Sequence, residues 1–334
     1  MNVRMWGKAL QVIPRLSKEE WNGLDLISRW LIATRAAVLI MTFISAAIAG
    51  IMALRVGEFN LLNWALLAVG LILAHATNNL LNDLTDYLRG VDKDNYFRAQ
   101  YGPQPLTHGF MSTRQSWLYA SVTGLLALAA GAVLVAQWGW PALALLGAGA
   151  FFVLFYTFPL KYIGMGELAV LLAWGPLMIG GGYYVITGQW DWNVVLAGLP
   201  YALGVTGVIF GKHIDKLDGD KANKIHTLPV LLGERSARLV LLGMTVLQYL
   251  LVFYLVITRF FTPAMLVVVL AYPVLRMVAA VYLKERPQEP PAEYPKDAWP
   301  LWYVSFAFIH NRRFGLWFLL GLIVDAVLRS QGIL

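Results

Sequence analysis

The sequence turns from apolar to polar at Asn78-Asn79-Leu80-Leu81-Asn82-Asp83-Leu84-Thr85-Asp86-Tyr87-Leu88-Arg89-Gly90-Val91-Asp92, directly after an apolar run over residues 61–76. That run is long enough to lie in a bilayer as a helix. If the helix continues, Asn79, Asp83 and Asp86 stand at positions i, i+4 and i+7 and share one face. Polar side chains at the end of a membrane helix are costly unless they bind something. Because Mg²⁺ prefers such oxygen ligands, the stretch predicts one half of a metal site.

A second polar stretch follows another apolar run farther along the chain, at His213-Ile214-Asp215-Lys216-Leu217-Asp218-Gly219-Asp220-Lys221. We interpret the two stretches as halves of one site for cations and a diphosphate group. On a regular helix Asp215 and Asp218 would share a face, and Asp220 would point away. Gly219 argues against a regular helix here, because glycine favours a turn or a local unwinding.

The composition is that of a membrane protein. Of the 334 residues, 59% are hydrophobic and 13% are charged, whereas soluble domains carry about a quarter charged residues. The 13 Trp and 15 Tyr suit a protein anchored at two membrane interfaces. The chain has no Cys, which excludes disulfides, thiolate zinc sites and cysteine nucleophiles. We attribute the net charge of +7 to loops that face anionic lipid, and expect no nucleic-acid partner.

Nine apolar stretches, each near the roughly 20 residues of a helical span, occur along the chain. They cover about residues 31–54, 61–79, 116–137, 140–158, 168–187, 194–210, 238–257, 263–283 and 314–332. We therefore predict an all-α integral membrane protein with about nine transmembrane helices around a central cavity. We expect a single domain over residues 1–334, with an interfacial segment at 1–30 and a mobile cytoplasmic connector at 284–300.

The basic residues are concentrated in every second connection between the apolar stretches, and the alternate connections hold only Arg55 and Arg259. Loops rich in Lys and Arg stay in the cytoplasm. We therefore expect the N-terminus and both Asp-rich stretches on the cytoplasmic side, and the C-terminus outside. The expected location is a plasma or inner membrane.

The first polar stretch can be written Asn79-x-x-Asn82-Asp83-x-x-Asp86-x-x-x-Gly90-x-Asp92. It resembles the first aspartate-rich motif of the UbiA superfamily of intramembrane aromatic prenyltransferases. The ending Gly90-Val91-Asp92 is most like that of the MenA branch, which prenylates 1,4-dihydroxy-2-naphthoate. Three further stretches are similar to the same branch: Tyr156-Thr157-Phe158-Pro159-Leu160-Lys161-Tyr162-Ile163-Gly164-Met165-Gly166-Glu167, Gly180-Gly181-Gly182-Tyr183-Tyr184, and the second Asp cluster with Thr227-Leu228.

The resemblance implies an enzyme that uses Mg²⁺ to transfer a polyprenyl group from its diphosphate to an aromatic quinone precursor. For the MenA branch that acceptor is 1,4-dihydroxy-2-naphthoate, and the pathway is menaquinone biosynthesis. Two Mg²⁺ between the Asp-rich stretches would neutralise the leaving diphosphate. Departure leaves an allylic cation, which an electron-rich ring attacks. The expected partners are thus a polyprenyl diphosphate, an aromatic acceptor and the lipid bilayer that holds the isoprenoid tail.

The resemblance also implies roles for individual residues. The expected catalytic set is Asn79, Asp83, Asp86, Asp215 and Asp220. The metal ligands come from Asp83, Asp86, Asp215, Asp218 and Asp220, and counting back from Thr227-Leu228 favours Asp215 and Asp220 over Asp218. The candidates for diphosphate binding are Arg35, Arg98, Lys161 and Lys212. The candidates for the substrate pocket are Asn82 and Tyr156.

The sequence departs from the family pattern in two places. The second motif of the family usually spaces its two aspartates four apart, whereas Asp215, Asp218 and Asp220 are separated by three and two residues. Many members carry Arg-Pro-Leu after the first motif, but this chain has Gln104-Pro105-Leu106. One expected phosphate-binding arginine is therefore absent, and Arg98 is the candidate in its place.

Two alternatives remain open at this stage. The first is a UbiA-type enzyme with another acceptor, such as 4-hydroxybenzoate, homogentisate, haem, chlorophyll or a glycerol lipid. The second is a secondary transporter or cation channel, which also uses carboxylates within the membrane. The transporter is disfavoured because both acidic clusters are expected on one membrane face. The sequence leaves open the acceptor, the prenyl chain length and the oligomeric state.

Overall fold

The computed structural model describes residues 2–91, 102–296 and 298–331. All regular structure in these residues is helical. Three short helices open the chain: α1 (Val3–Gln11), α2 (Lys18–Asn22) and α3 (Leu26–Ala33). The next four long helices are α4 (Ala36–Arg55), α5 (Leu61–Leu88), α6 (Thr113–Trp138) and α7 (Trp140–Phe155). A 3₁₀ turn at Leu160–Ile163 then leads to α8 (Gly166–Thr187).

The second half of the chain has one long helix, two short helices and then three more long helices. Helix α9 (Trp192–Asp215) is followed by the short α10 (Leu217–Ala222) and α11 (Leu228–Leu232). The last three helices are α12 (Glu234–Ile257), α13 (Pro263–Tyr282) and α14 (Tyr303–Ser330).

The prediction of an all-α membrane protein is confirmed, but the count of nine spans is not. In the described part of the chain, seven helices are long and apolar enough to cross a membrane: α4, α5, α6, α8, α9, α12 and α13. Helix α7 is a shorter apolar helix of 16 residues. Helix α14 begins at Tyr303 rather than at the predicted residue 314, because the polar residues before that point continue the helix.

Local sequence explains where the helices that carry the site begin and bend. Asn60 caps α5 through the backbone amide of Asn63 at 3.0 Å, which is a standard way to satisfy the first amides of a helix. Helix α8 widens into a π-helical segment over Ala173–Gly181, which contains Pro176. Proline has no amide hydrogen to donate, and π-helical turns are frequent at functional sites.

The core lies where α4, α8, α9, α12 and α14 meet, and Tyr201, Phe314 and Phe318 are fully buried there. Helix α9 is the central helix, since 83% of the residues in its most apolar part are buried inside the protein. In α6 the corresponding value is 17%, as expected for a helix whose apolar surface faces lipid. Side chains on α9 are therefore held firmly near the site.

The segments outside the long helices make specific contacts. Asp25 accepts hydrogen bonds from the Asn2 amide at 2.7 Å and the Trp6 indole at 3.1 Å, so α1 is tied to the start of α3. In the connector, the Tyr294 hydroxyl donates to Ser305 Oγ at 2.9 Å, and its ring packs on Trp302 with centroids 5.1 Å apart. The described part of residues 284–300 thus packs against the start of α14. Its predicted mobility stays a prediction.

Candidate active site

The first Asp-rich stretch is helical from Asn78 to Leu88, because α5 continues to Leu88 instead of ending near residue 79. Its polar side chains Asn79, Asn82, Asp83 and Asp86 are all buried. The Asn79 amide donates to the Thr34 carbonyl at 2.8 Å, and the Asn82 amide donates to Thr157 Oγ1 at 3.1 Å. Both Asn side chains are oriented by their amide nitrogens, which leaves each Oδ1 without a hydrogen bond from any described residue.

The two described carboxylates of the first stretch, Asp83 and Asp86, are each paired with a basic side chain from another element. Asp83 forms an ion pair with Arg35. Arg35 lies between α3 and α4 with φ of +56°, a left-handed conformation that is strained for a non-glycine residue and often marks functional sites. Asp86 accepts two bonds from Lys161 Nζ, at 2.9 and 3.1 Å. The structure thus brings together four of the predicted site residues.

The turn that carries Lys161 is fixed by its neighbours. The His226 amide donates to the Tyr162 carbonyl at 3.2 Å, so this turn contacts the segment after α10. Gly164 has φ of +75°, and a Cβ there would lie 2.5 Å from the Leu231 side chain. Burial by itself would lower the pKa of Lys161, but the carboxylates of Asp86 and Asp220 raise it above its usual value. Lys161 therefore lies in the field of both Asp-rich stretches.

The second Asp-rich stretch is interrupted at one residue. The predicted disturbance at Gly219 was misplaced: α9 ends at Asp215, Lys216 has φ −99° and ψ 6°, and Gly219 lies inside α10. Gly219 is exposed and is tolerated within the short helix α10. The break lies instead at Lys216, between α9 and α10. The break sends Asp215 and Asp220 in different directions.

The three aspartates of this stretch have different surroundings. Asp215 accepts the amides of Tyr303 at 2.9 Å and Val304 at 3.0 Å, at the start of α14. Asp220 is buried, and its carboxylate lies 3.3 Å from Lys216 Nζ. Asp218 is exposed. The Asp220 carboxylate contributes to the raised pKa of Lys161, so it lies near the side chains that pair with the first stretch.

The two stretches approach each other but do not form a ready-made metal cluster. Lys212 and Lys216 of the second stretch are close enough to act electrostatically on Asp86 of the first. Within residues 2–91, 102–296 and 298–331, no three His, Asp or Glu side chains are grouped so as to hold a metal ion. Instead, Arg35 pairs with Asp83 and Lys161 pairs with Asp86.

A cavity of about 740 Å³ extends from this polar end into the bundle. Its lining is mainly apolar and consists largely of Leu, Ala, Val and Gly residues from α5, α6, α7, α8 and α9. The predicted site residues that reach it are Arg35, Asn79, Asn82, Tyr156 and Lys212. Asp215 and Asp220 do not line it. Arg98 and Asp92 lie outside the described residues.

One buried pair was missed by the sequence analysis. Glu167 Oε1 lies 2.6 Å from His213 Nδ1, and both side chains are almost fully inaccessible. Glu167 Oε2 also accepts the Leu228 amide at 3.4 Å. The pair joins the start of α8 to α9 and α11, directly behind Lys161 and the second stretch. An acidic residue beside an apolar run is a signal that could have identified it.

The sequence of the chain is similar to those of known proteins. The model of the UbiA prenyltransferase family matches residues 42–323. The 1,4-dihydroxy-2-naphthoate octaprenyltransferase of Mycobacterium tuberculosis is 31% identical over 215 residues, which cover 63% of this chain and 70% of the relative. The share of each curated relative that the chain spans ranges from 52% to 77%, so it covers only about half of some of them.

Solved structures share the fold. A UbiA homologue from Aeropyrum pernix K1 superposes with a TM-score of 0.64 at 21% identity, over 85% of this chain and 97% of that one. A UbiA homologue from Archaeoglobus fulgidus, bound to GPP and Mg²⁺, gives 0.57 at 18% identity, over 88% and 99% of the two chains. At these identities the likeness concerns the fold alone.

Proposed function

Since the chain belongs to the UbiA prenyltransferase family, we propose that it transfers a polyprenyl group from its diphosphate to 1,4-dihydroxy-2-naphthoate with the help of Mg²⁺. That it is a UbiA-type prenyltransferase follows from the family, and that it is an integral membrane protein follows from the seven long apolar helices among its described residues. In the proposed reaction the bond between prenyl C1 and the diphosphate oxygen breaks and releases inorganic diphosphate. A carbon–carbon bond to the aromatic ring forms, and the attacked ring carbon loses its proton or its carboxyl group as CO₂.

The observation that carries the proposal is a long apolar cavity with a charged end. Arg35 lines that end and pairs with Asp83, and the Asp86–Lys161 pair lies one helical turn beyond Asn82 of α5, whereas Asp83, Asp86 and Lys161 do not themselves line the cavity. An isoprenoid tail fits an apolar cavity, and a diphosphate is the one part of the donor that needs such charges. A transporter would need polar groups along a path through the membrane. Here the lining beyond the charged end is mainly apolar.

The donor set suits Mg²⁺, which prefers oxygen ligands and is commonly held by one or two carboxylates together with substrate phosphates. Asp83 and Asp86 offer carboxylates, and the Oδ1 atoms of Asn79 and Asn82 accept no hydrogen bond from the described residues. When bound, Mg²⁺ would neutralise charge on the leaving diphosphate. We propose Asp83, Asp86 and Asp220 as its ligands. Asp215 is instead engaged by the backbone amides at the start of α14, and Asp218 is exposed.

The basic residues would share the diphosphate charge. Arg35 and Lys161 hold the carboxylates in this structure and offer further donors to phosphate oxygens. Lys212 reaches the cavity from α9. Tyr156 and Asn82 line the cavity next to them and are proposed as part of the substrate pocket.

The proposed acceptor rests on the relatives. The Mycobacterium tuberculosis protein is named for 1,4-dihydroxy-2-naphthoate, and the same motifs of this chain resemble the MenA branch. The test is incubation of the purified protein in nanodiscs with farnesyl diphosphate, Mg²⁺ and a panel of aromatic acceptors, read by mass spectrometry. Prenylated naphthoate is the expected product. Product from 4-hydroxybenzoate or homogentisate alone would replace the acceptor, and ion uptake without product would overturn prenyl transfer.

We further propose that the charged end faces the cytoplasm, with the N-terminus on the same side. The support is the concentration of Lys and Arg in the connections at that end. The chain has no cysteine, so single cysteines can report the side. Cysteines at the exposed positions Thr107 and Ser236 should react from the cytoplasm, and those at Gln189 and Thr258 from outside. Labelling of Thr107 and Ser236 from opposite sides would contradict a single site.

A further inference from the structure

His75 is a polar side chain that the proposed chemistry does not yet use. It lies on α5 four residues before Asn79 and lines the cavity. Four residues correspond to one helical turn, about 6 Å along the axis, so His75 lies on the same face as Asn79 and one turn deeper than the charged end. An intramembrane histidine in an apolar cavity is a strong indication of a functional contact.

The orientation of the His75 ring is fixed by Thr42 of α4. Thr42 is fully buried, and its Oγ1 lies 2.7 Å from His75 Nδ1. Other helical threonines of this protein, such as Thr77 and Thr206, donate to the carbonyl four residues earlier at 2.8 Å. The Thr42 hydroxyl is instead directed at the imidazole. His75 Nε2 makes no hydrogen bond to any described residue, so it is available to a molecule in the cavity.

A second polar group lies beside this ring. Trp174 lines the cavity from the π-helical segment of α8, and its ring stands at 87° to that of His75 with centroids 5.3 Å apart. The Trp174 Nε1–H is buried and has no hydrogen-bond partner in the described structure. Buried donors are normally satisfied, so this indole also points to a ligand with an acceptor oxygen.

Neighbouring polar side chains on the same helix are already engaged by the protein. Asn78 donates to the Val153 carbonyl at 3.0 Å, and Thr77 donates to the Leu73 carbonyl. A prenyl tail has no hydrogen-bonding atom, so it cannot pair with His75 Nε2 or with the Trp174 indole N–H. The ligand that fits is therefore a flat ring with an oxygen substituent.

We propose that His75, oriented by Thr42, and Trp174 bind the oxygen substituent of the aromatic acceptor and so select and orient it for attack on the prenyl group. The inference rests on the proposed prenyl transfer and assigns the acceptor end of that site. Charged residues hold the donor at the cavity end, while these two side chains hold the ring one turn deeper.

The test compares kinetics of purified protein in nanodiscs, with farnesyl diphosphate as the donor and 1,4-dihydroxy-2-naphthoate as the acceptor. His75→Phe keeps a flat ring and removes both nitrogens, Thr42→Val removes only the orienting hydroxyl, and Trp174→Phe removes the indole N–H. We expect the acceptor KM to rise about tenfold in the first variant and about threefold in the other two, as for one lost hydrogen bond. The KM for farnesyl diphosphate and the Mg²⁺ dependence should not change.

The matched control is His310→Phe. His310 is also a buried helical histidine with a hydroxyl partner, Tyr249 at 3.0 Å, but it does not line the cavity. This variant should keep the wild-type acceptor KM. An unchanged acceptor KM in His75→Phe, or an equal rise in the donor KM, would overturn the proposal while prenyl transfer stands.

A binding measurement separates failure of this inference from failure of the proposed function. Calorimetric titration of 1,4-dihydroxy-2-naphthoate into wild-type protein and the three variants requires no turnover. Weaker binding in His75→Phe and Thr42→Val supports the assignment even if no product forms. Equal binding in the wild type and the variants refutes it, whatever the outcome of the turnover assay.

Discussion

The two Asp-rich stretches look alike in sequence but have different structures. In the first, Asn79, Asn82, Asp83 and Asp86 lie on one uninterrupted helix, and Asn79 and Asn82 line the cavity while Asp86 pairs with Lys161. The second is broken at Lys216: Asp215 binds the start of α14, and Asp220 lies on the next helix, where its charge raises the pKa of Lys161. Similar Asp-rich composition therefore does not give equivalent roles. In a helical site, the position of the helix end decides which carboxylates can converge.

The largest expected effect is at the first stretch. Asp83→Asn and Asp86→Asn each remove a charged oxygen while keeping the shape. We expect turnover to fall by roughly a thousandfold, because loss of one electrostatic contact at a developing charge has effects of that order. The measurement is product formation against Mg²⁺ concentration. Asp218→Asn, at an exposed position of the second stretch, is the control and should remain near wild type.

The next prediction separates the two buried aspartates of the second stretch. Asp220→Asn should lower turnover by about a hundredfold with little change in thermal stability, if it belongs to the metal site. Asp215→Asn should lower the unfolding temperature, because it weakens the carboxylate that accepts two amides at the start of α14. Thermal unfolding and turnover are measured on both variants. Equal stability with a larger loss of turnover for Asp215→Asn would restore Asp215 as the metal ligand.

The third prediction concerns the ammonium group of Lys161, which lies in the field of carboxylates from both Asp-rich stretches. Lys161→Gln should raise the KM for the prenyl diphosphate by about tenfold, because a charge-assisted bond to phosphate is lost. Since nearby carboxylates raise the pKa of Lys161 despite its burial, the amine stays protonated. The wild-type KM for the donor should thus stay constant between about pH 7 and pH 9. A KM that rises steeply over this range would show that Lys161 loses its proton there.

A smaller effect is expected behind the site. Glu167→Gln keeps the shape but weakens the contacts with His213 and the Leu228 amide. We expect turnover to fall by about fivefold with both KM values unchanged, because Glu167 positions the segments and touches neither substrate nor metal. His108→Gln, at an exposed histidine, serves for comparison. A rise in either KM would instead place Glu167 in direct contact with a substrate.

The smallest effect on turnover is expected at the other end of the bundle. Arg55 Nε lies 3.0 Å from Asp325 Oδ2, and Asp325 also accepts the Thr262 amide at 2.5 Å. Asp325→Asn should destabilise the protein by about 3 kcal/mol, since a buried charge loses its partner. Turnover below the unfolding temperature should stay unchanged. A parallel loss of activity would mean that this cluster is coupled to the charged end.

The sequence predicted much of the fold because membrane spans have a simple requirement of length and apolarity. The stretches predicted at 61–79 and 194–210 are the helices that carry the two Asp-rich stretches, although both run farther than their apolar part. The polar residues at their ends continue the helix because they meet partners inside the protein. Apolarity alone cannot show this, so the predicted boundaries were early at those ends.

The sequence by itself determined the membrane class, the family and which residues could carry charge chemistry, since composition and motif spacing are local properties. The tertiary structure decided which groups meet. Arg35 and Asp83, or Lys161 and Asp86, are far apart in the chain, and nothing in their spacing predicts the pairing. Asp215 and Asp220 were equal candidates until the end of α9 and the start of α14 fixed their directions. His75 acquired a proposed role only when α4 and α8 placed Thr42 and Trp174 beside it.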